Sequence, residues 1–464
     1  MHIKTLHITN AWHQASGGIG TFYRALFDGA NRAGRQLRMI VPGERSQVEE
    51  IGEFVRVYTI AAARAPIFDR RYRLLLPTTY LPGLAEMAGL TKLASPTNLP
   101  DFENLASPAN LAGHGGEILR ILKAERPDLI EICDKYSVSW LAGLIRRGWL
   151  RGIERSVLVG MSCERMDDNV GAFLSSGRAG KRWSRFYLGN CYLPLFDYHI
   201  ANSNYTADEL REAMLASHER QIFVRPMGAE IDDFGGAHAT LAGRAGILAR
   251  CAQTAQSGGG AQARLLLYAG RISPEKNPAL LLEMMERLAG SREGDFRLVV
   301  AGSGPLADWF AAEAARRAPD RVLMLGHIGN RAELIDLYSH CDAFVHPNPR
   351  EPFGIAPLEA MAAGLPLIAP DSGGVLSYAN ESNAWLAKPD ADAFADAAHA
   401  VFRDAAVRKD RLARARWTAQ QYRWPDVAAR FFTLYDEMHE KFPTLRFAPR
   451  MGLRASAHVA HEEL

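Results

Sequence analysis

Two glutamates eight positions apart are the residues of this sequence that most strongly suggest binding chemistry. Glu351 and Glu359 flank the segment PFGIAPL, just where a helix is predicted to begin. A carboxylate can accept two hydrogen bonds from the vicinal hydroxyls of a ribose or a hexose. An isolated pair of glutamates more often caps a helix and faces solvent, but the surrounding turn and the apolar helix favour a sugar site here.

The turn between the two glutamates is a candidate phosphate site. Phe353 and Gly354 precede the predicted helix, and Ile355 opens it. The first N–H groups of a helix have no partner within the helix, and the helix dipole adds positive potential at the same place. The backbone of these three residues therefore predicts a site for a diphosphate.

Two cations follow a strand elsewhere in the same half of the chain. In YAGRISPEKNP the predicted strand ends at Gly270, and Arg271 and Lys276 occupy the turn into the next helix. Either residue alone could belong to a surface ion pair. Ligands of doubly wound sheets bind outside the carboxyl ends of the strands, so both cations together favour the same diphosphate.

Two glycine-rich turns extend the candidate site. Gly17 and Gly18 follow the first strand and would let the backbone approach a ligand closely, although an ordinary turn has the same composition. Gly302 opens the pattern Gly-x-Gly-x-x-Ala, which also suits a dinucleotide and hence an NAD-dependent oxidoreductase. The next strand, RVLMLGHIGN, lacks the acidic residue that holds an adenosine ribose. We therefore assign Gly302, with Ile328 after that strand, to the pocket for the base of a substrate.

Metal chemistry is not indicated. The histidines show no metal-ligand spacing, and the five cysteines form no Cys-x-x-Cys pair, which favours a reducing compartment. Asp390 and Asp392 stand at the start of an Ala-rich helix, so N-capping explains them better than a metal-bound diphosphate. We expect no metal and no cofactor apart from the donor substrate itself.

The elements that must position these residues repeat as strand, turn and helix, which is typical of parallel sheets. Predicted strands of the first half are Leu6 to Thr9, Leu37 to Pro42, Asp128 to Cys133, Ser156 to Ser162 and Tyr198 to Ser203. Those of the second half are Leu265 to Gly270, Phe296 to Gly302, Arg321 to Gly326, Asp342 to Pro347 and Leu365 to Pro370. With 464 residues the chain suits two doubly wound domains and a cleft between them.

Charge and hydropathy limit the class of protein. Lys and Arg number 54 against 52 Asp and Glu, so the chain lacks the basic excess of a nucleic-acid-binding protein. No signal peptide and no membrane-spanning run are recognisable, which predicts a cytoplasmic protein. A basic group beside Leu74 to Leu76 could contact anionic lipid at the inner face of a membrane, although a solvated face is the more common explanation. Its members are Arg64, Arg70, Arg71 and Arg73.

The motif E-PFGIAPL-E resembles the Glu-x7-Glu motif of the retaining glycosyltransferases of family 4, which have the two-domain GT-B fold. The resemblance extends over nearly the whole chain and is strongest in the second half. It implies an acceptor-binding Rossmann-like domain over 1–226 with insertions at about 44–116. A donor-binding Rossmann-like domain would cover 227–423, and a terminal helix over 424–448 would cross back to the first domain.

The resemblance also implies roles for single residues. Glu359 would bind the nucleotide ribose, and Arg271 and Lys276 the diphosphate. Glu351, with the backbone of Phe353 to Ile355, would bind the transferred sugar. Gly17 and Gly18 would close onto the phosphates from the first domain.

Two departures from the family pattern concern the first domain and the hinge. Where relatives often carry Ser-His-Glu beside the sugar, this chain reads Ser162-Cys163-Glu164, so Cys163 and Glu164 are expected to contact substrate without an imidazole. Met227 replaces the usual asparagine before Gly228.

The function expected from this resemblance is retaining transfer of a hexose from a nucleoside diphosphate sugar to the hydroxyl of a glycan, lipid-linked or small-molecule acceptor. A nucleotide-sugar epimerase of the same architecture is the alternative enzyme, and a sensor that binds the donor without turnover is the alternative that is not an enzyme.

Overall fold

A computed structural model describes residues 2–12, 17–64, 73–81, 116–173, 178–214, 221–234, 243, 245–247, 249, 263–291 and 293–446. Within these ranges two parallel sheets, each with helices on both faces, form two α/β domains. The prediction of two doubly wound Rossmann-like domains is confirmed.

The first domain is built on an eight-stranded sheet with the order β10-β9-β8-β7-β1-β2-β4-β3. All its neighbouring strands are parallel except β3 and β4. Its strands are β1 (Thr5–Thr9), β2 (Leu37–Gly43), β3 (Gln47–Ile51), β4 (Val55–Ala61), β7 (Leu129–Cys133), β8 (Val157–Ser162), β9 (Tyr198–Ala201) and β10 (Ile222–Val224). A small two-stranded ribbon consists of β5 (Ala63–Arg64) and β6 (Arg73–Leu74).

Helices cover both faces of this sheet because its central strands are apolar on both sides, as buried parallel strands are. The helices are α1 (Gly18–Ala33), α2 (Glu117–Glu125), α3 (Ser139–Arg146), α4 (Met166–Phe173), α5 (Arg178–Tyr187) and α6 (Asn204–Ala213). Ser203 begins α6 with a capping box, in which its side chain accepts from the N–H of Thr206.

The second domain has a six-stranded parallel sheet with the order β13-β12-β11-β14-β15-β16. Its strands are β11 (Arg264–Ala269), β12 (Phe296–Ala301), β13 (Val322–Gly326), β14 (Ala343–Val345), β15 (Leu367–Pro370) and β16 (Trp385–Ala387). Its helices are α7 (Pro278–Ala289), α8 (Ala307–Arg317), α9 (Arg331–His340), α10 (Ile355–Ala363), α11 (Ala391–Arg403) and α12 (Ala405–Gln420). The order reverses at β11, between β12 and β14, so the carboxyl ends of these strands form a binding crevice.

The ten predicted strands are all present, within two residues at each boundary. The sequence patterns missed β3, β4, β5, β6, β10 and β16. Four of the five residues of β3 face solvent at the sheet edge, which leaves no apolar alternation. Strands β10 and β16 have three residues each, too few to show a period. Most of the region expected to carry insertions lies outside the described residues.

The chain crosses between the domains twice, and the two crossings lie side by side. The Ala229 N–H donates to the carbonyl of Tyr422 over 2.9 Å, and Ala229 forms a parallel bridge with Arg423. A Cβ on Gly228 would lie 2.5 Å from the Trp424 ring, so this position accommodates only glycine without movement. The segment that begins with Met227 and Gly228 therefore lies at the hinge.

The terminal helix α13 (Trp424–Arg446) packs against α1 of the first domain. A Cβ on Gly29 of α1 would lie 2.8 Å from the Cβ of Ala428, which explains how the two helices approach so closely. Tyr435 donates to the buried carboxylate of Glu131 over 2.5 Å, and His7 contacts the same carboxylate at 3.0 Å. This buried polar cluster anchors α13 on the first sheet.

Candidate functional site

Three loops meet at the carboxyl edge of the second sheet. They follow β11, β12 and β14; the first carries Arg271 and Lys276, the second Gly302 and the third Glu351, and Glu359 lies in the helix after the third loop. The loop after β12 packs against the loop after β11, since Ile272 donates its N–H to the carbonyl of Ser303 over 3.0 Å. The site residues of the second domain thus belong to one contiguous rim.

Lys276 and Glu351 form an ion pair at this rim. The Lys276 ammonium donates to both carboxylate oxygens, to Oε1 over 3.0 Å and to Oε2 over 2.7 Å. The amide of Asn348 donates to Oε2 over 3.1 Å. Glu351 is buried, and burial alone would raise its pKa, but Lys276 and the nearby His346 and Asn348 lower the pKa to about 2. Glu351 is therefore an anion at every physiological pH, with both oxygens already accepting hydrogen bonds.

His346 lies behind this pair, with Nε2 3.7 Å from Glu351 Oε2. Burial lowers the pKa of His346 to about 4, so the ring is neutral near pH 7. A neutral imidazole leaves Lys276 as the cation that directly contacts Glu351.

Gly354 shapes the turn that presents helix α10. Its φ of 88° lies in the left-handed region, which a residue with a side chain adopts only at a cost. Tyr378 donates its hydroxyl to the Gly354 carbonyl, and the N–H of Gly374 donates to the carbonyl of Glu351 over 2.6 Å. The Phe353 ring is buried against Tyr378, at 5.3 Å between centroids. The contacts with Tyr378 and Gly374 therefore fix the conformation of the turn. The backbone of Phe353 to Ile355 forms the start of the helix.

The glycines of the first domain reach this helix start. Helix α1 begins at Gly18, and a Cβ on Gly18 would lie 2.9 Å from Ile355 Cδ1. A Cβ on Gly17 would meet nothing within 4 Å. The backbone of one domain therefore faces the first turn of α10 in the other, as a loop that closes on a bound phosphate must.

Glu359 lies about one turn into α10 and forms an ion pair with Arg331. The Arg331 guanidinium donates to Glu359 Oε1 over 2.8 Å and to the carbonyl of Glu230 over 3.0 Å. Burial raises the pKa of Glu359 to about 6, although Arg331 opposes this shift. Arg331 was missed in the sequence, where its only signal is its position as the first residue of the helix after β13.

The same edge of the sheet also carries Arg271, Gly302 and Ile328. Arg271 is half-buried on the loop after β11, where its carbonyl accepts from the hydroxyl of Tyr268 over 2.7 Å. A Cβ on Gly302 would lie 1.8 Å from the carbonyl oxygen of Gly270, so this glycine permits two loops to touch. Ile328 is partly buried against the core that joins the domains.

Substitution of Gly302 tests that close approach. We expect Gly302→Ala to lower the free energy of unfolding by about 3 kcal/mol, because an added methyl group overlaps backbone that cannot move independently. Gly329→Ala is the matched control: beyond the two adjacent residues, the atom nearest to its Cβ would be His327 Nε2 at 3.9 Å, and an effect within about 0.5 kcal/mol is expected. Equal midpoints in urea for both variants would contradict the tight contact between the loops.

Across the cleft, the first domain contributes Cys163 and Glu164 at the end of β8. Cys163 is buried, and its Sγ lies 3.7 Å from that of Cys133. Of these two residues, only Glu164 has a side chain exposed to solvent, whereas the thiol of Cys163 contacts Cys133.

One ion pair bridges the two domains beside the site. Arg350, next to Glu351 in sequence, lies 3.9 Å from Asp168 of α4. The carboxylate of Asp168 also accepts from the hydroxyl of Tyr205 over 2.6 Å. Sequence patterns did not single out these residues, since nothing in their spacing marks a contact between domains.

Two other expectations from the sequence have clear outcomes. Asp390 accepts from the N–H of Ala393 over 2.9 Å, so its role as a helix cap is confirmed. Within the ranges that the structure describes, no group of three or more His, Cys, Asp or Glu side chains is placed to hold a metal ion.

The basic group expected to contact lipid lies only partly within the described residues. Arg73 and Arg64 both pair with Glu44, and Leu75 is completely buried. Leu76 remains 36% exposed, and the expected contact with lipid stays a prediction. Arg70 and Arg71 lie outside the described residues. Among the described helices, none combines the length and the apolar character that crossing a bilayer requires.

Comparison with known sequences points to one activity class. Residues 252–421 match the family model described as Glycosyl transferases group 1. The chain is similar to the GDP-mannose-dependent alpha-(1-6)-phosphatidylinositol dimannoside mannosyltransferase of Mycobacterium tuberculosis, with 23% identity over 428 residues that cover 92% of this chain and 94% of that protein. It is also similar to the D-inositol 3-phosphate glycosyltransferase of Streptomyces bingchenggensis, with 26% identity over 359 residues that cover 74% and 75% of the two chains.

Solved structures share the fold over nearly the whole chain. Anabaena HepE in complex with UDP has a TM-score of 0.61 at 16% identity, with 94% of this chain and 100% of that chain covered. The catalytic domain of Starch Synthase IV from Arabidopsis thaliana, bound to ADP and acarbose, has a TM-score of 0.62 at 14% identity, with 95% and 100% covered. The match of residues 252–421 and the similar proteins support glycosyl transfer as the activity class, and the solved structures show that both domains together have the GT-B fold.

Proposed function

We propose that the protein transfers a hexose from a nucleoside diphosphate sugar to an acceptor hydroxyl with retention of configuration. The observation that carries the proposal is the Lys276–Glu351 pair beside the start of α10, opposite Gly18. Similar proteins whose names include GDP-mannose, or whose structures hold UDP, support a nucleotide-sugar donor.

The charge of the site supports a diphosphate leaving group. Lys276 and Glu351 nearly neutralise each other, so the net attraction for an anion must come from Arg271 and the N–H groups at the start of α10. In the proposal Arg271 and Lys276 flank the diphosphate, and Gly17 and Gly18 close over it. These donors stabilise the negative charge that develops as the sugar leaves.

The state of Glu351 supports a role in holding the sugar rather than in covalent attack. Its low pKa excludes proton donation near neutral pH, and its two oxygens already accept from Lys276 and Asn348. Remaining lone pairs can accept hydroxyls of the transferred hexose. The acceptor hydroxyl then attacks from the face of the departing diphosphate, whose oxygen takes the proton.

Glu359 is proposed to accept hydrogen bonds from the ribose of the donor. This role requires the ionised carboxylate, and Arg331 holds Oε1 while the other oxygen is left to the ligand. Ile328 and the loop at Gly302 would border the base, and Glu164 would meet the acceptor.

Nucleotide binding should depend on pH through Glu359. Because the pKa of Glu359 is about 6, we expect affinity for a nucleoside diphosphate to fall as the pH drops below about 6. The raised pKa also means that the folded protein binds this proton more tightly than the unfolded chain, so the free energy of unfolding decreases as pH rises from about 4.5 to about 6. Calorimetric titration between about pH 5 and pH 8 measures the first effect.

The matched variant for this titration is Glu359→Gln. Protonation of the ligand phosphates is common to both proteins, so only the difference between their profiles reports on Glu359. Parallel profiles would contradict the ribose role.

The function itself is tested with a panel of nucleoside diphosphate sugars. Thermal shift measurements identify the donor, and proton NMR of the product formed with candidate acceptors gives the anomeric configuration. Retention with release of nucleoside diphosphate only when acceptor is present supports the proposal. Inversion would overturn the mechanism, and release without any acceptor would favour the epimerase.

A further inference from the structure

Helix α5 of the first domain has an unusual composition for a surface helix. Its ten residues, RAGKRWSRFY, include four cations and no acidic residue. It also carries two large aromatic residues, Trp183 and Phe186, one turn apart. Cations and aromatic residues on one helix are typical of a helix that lies in the interface between the charged headgroups and the acyl chains of a membrane.

The aromatic residues of α5 point outward. The exposed fractions are 52% for Trp183 and 64% for Phe186, whereas Ser184 on the opposite face is 1% exposed. Arg182 is exposed next to them. Residues three apart share a helix face, so Trp183 and Phe186 form one apolar patch with a cation at its border.

This patch is held rigidly beside the cleft. The Trp183 ring stacks on Tyr187 at 5.6 Å, and the Tyr187 hydroxyl donates to the carbonyl of Lys135 over 2.8 Å. Helix α5 packs on α4, the helix whose Asp168 meets Arg350 of the second domain. The patch therefore lies on a helix that neighbours the helix in contact with the second domain.

We propose that Arg182, Trp183 and Phe186 dock the protein on the surface of an anionic lipid bilayer. Trp and Phe prefer the boundary between headgroups and acyl chains, and each cation near an anionic leaflet adds to the attraction. Two copies of the chain related by a two-fold axis would bring the same cations face to face, which disfavours self-association through this patch. The overall charge of +2 disfavours nucleic acid as the occupant.

Docking through α5 would hold the first domain, which carries Glu164, at the membrane. In that orientation a lipid-linked acceptor could reach Glu164 without leaving the bilayer surface. This consequence rests on the proposed function, whereas the docking itself does not.

The test is co-sedimentation of the full chain with vesicles of phosphatidylcholine and phosphatidylglycerol, against phosphatidylcholine alone. We expect binding to the anionic vesicles that weakens with added salt. Trp183→Ser/Phe186→Ser should reduce the partition coefficient at least about tenfold, given the apolar surface that leaves water. Arg182→Gln should reduce it about fivefold, the factor for one cation at such a surface.

Trp417→Ser is the matched control, because Trp417 on α12 is 69% exposed and belongs to the other domain. It should sediment like the unchanged protein. Binding of nucleoside diphosphate, measured for every variant, must stay unchanged, which separates a failure of this proposal from a failure of the proposed function. The proposal would be overturned if the double substitution left sedimentation unchanged, or if the protein showed no preference for anionic vesicles. If the unchanged protein formed dimers and the double variant did not, the patch would instead bind a second copy of the chain.

Discussion

Lys276→Ala is expected to lower kcat/KM for sugar transfer by about 100- to 1,000-fold, the range for loss of one donor that stabilises developing charge. The substitution removes a cation from the leaving-group site and also leaves the carboxylate of Glu351 without its main partner. Both effects weaken the transition state, so kcat should fall together with kcat/KM. Initial rates with saturating donor and varied acceptor measure the change.

Stability must be measured alongside, because an unpaired buried carboxylate costs about 1–3 kcal/mol. The double variant Lys276→Ala/Glu351→Gln removes the buried charge and should recover the melting temperature without recovering activity. Lys409→Ala, which changes an exposed cation on α12, controls for charge alone. Activity restored in the double variant would show that Lys276 serves only to neutralise Glu351.

The second large effect is expected for Gly354→Ala, which should weaken donor binding at least about tenfold. The added Cβ would lie 2.9 Å from the Tyr378 hydroxyl and 3.2 Å from Glu351 Cγ, at a residue whose φ is positive. Relief of these contacts must move the start of α10 or the glutamate, and both belong to the site. The strain also lowers the free energy of unfolding by about 1–2 kcal/mol.

Gly148→Ala separates the two consequences of that substitution. Gly148 also has a positive φ, of 67°, but a Cβ there would meet nothing within 4 Å. It should show a similar loss of stability with unchanged donor affinity in calorimetry. If Gly148→Ala weakened donor binding as much as Gly354→Ala, the effect would report general destabilisation rather than the geometry of the turn.

Five of the six strands of the second domain could be predicted from the sequence, because each of the five is a short apolar run that ends in a turn. Leu367–Pro370 is fully buried on both faces, so its composition alone distinguishes it from its surroundings. Gln47–Ile51 shows the limit of such patterns: it is a strand because Val55–Ala61 offers hydrogen bonds beside it, and its side chains face solvent. Pairing of this kind has no signature in composition.

For the candidate site, the sequence shows the residue types and the spacing of residues that are close along the chain. It does not show which distant residues contact each other. Glu351, Glu359 and the Phe-Gly turn lie within one segment, and the geometry of a helix start relates them directly. The contacts of Glu351 with Lys276 and of Glu359 with Arg331 join residues 75 and 28 positions apart. The same limit applies to Leu75, whose complete burial depends on what packs over it.

The sequence by itself determined the alternation of strands and helices, the carboxyl-edge loops and the chemical character of the residues in them. These properties depend on a few neighbouring residues, whose apolar period and turn glycines act locally. Only the tertiary structure decided that Lys276 would hold Glu351, that Gly18 would face Ile355 and that Trp183 would remain exposed. Such contacts depend on strand order and on the crossing of the terminal helix, which bring distant segments of the chain together.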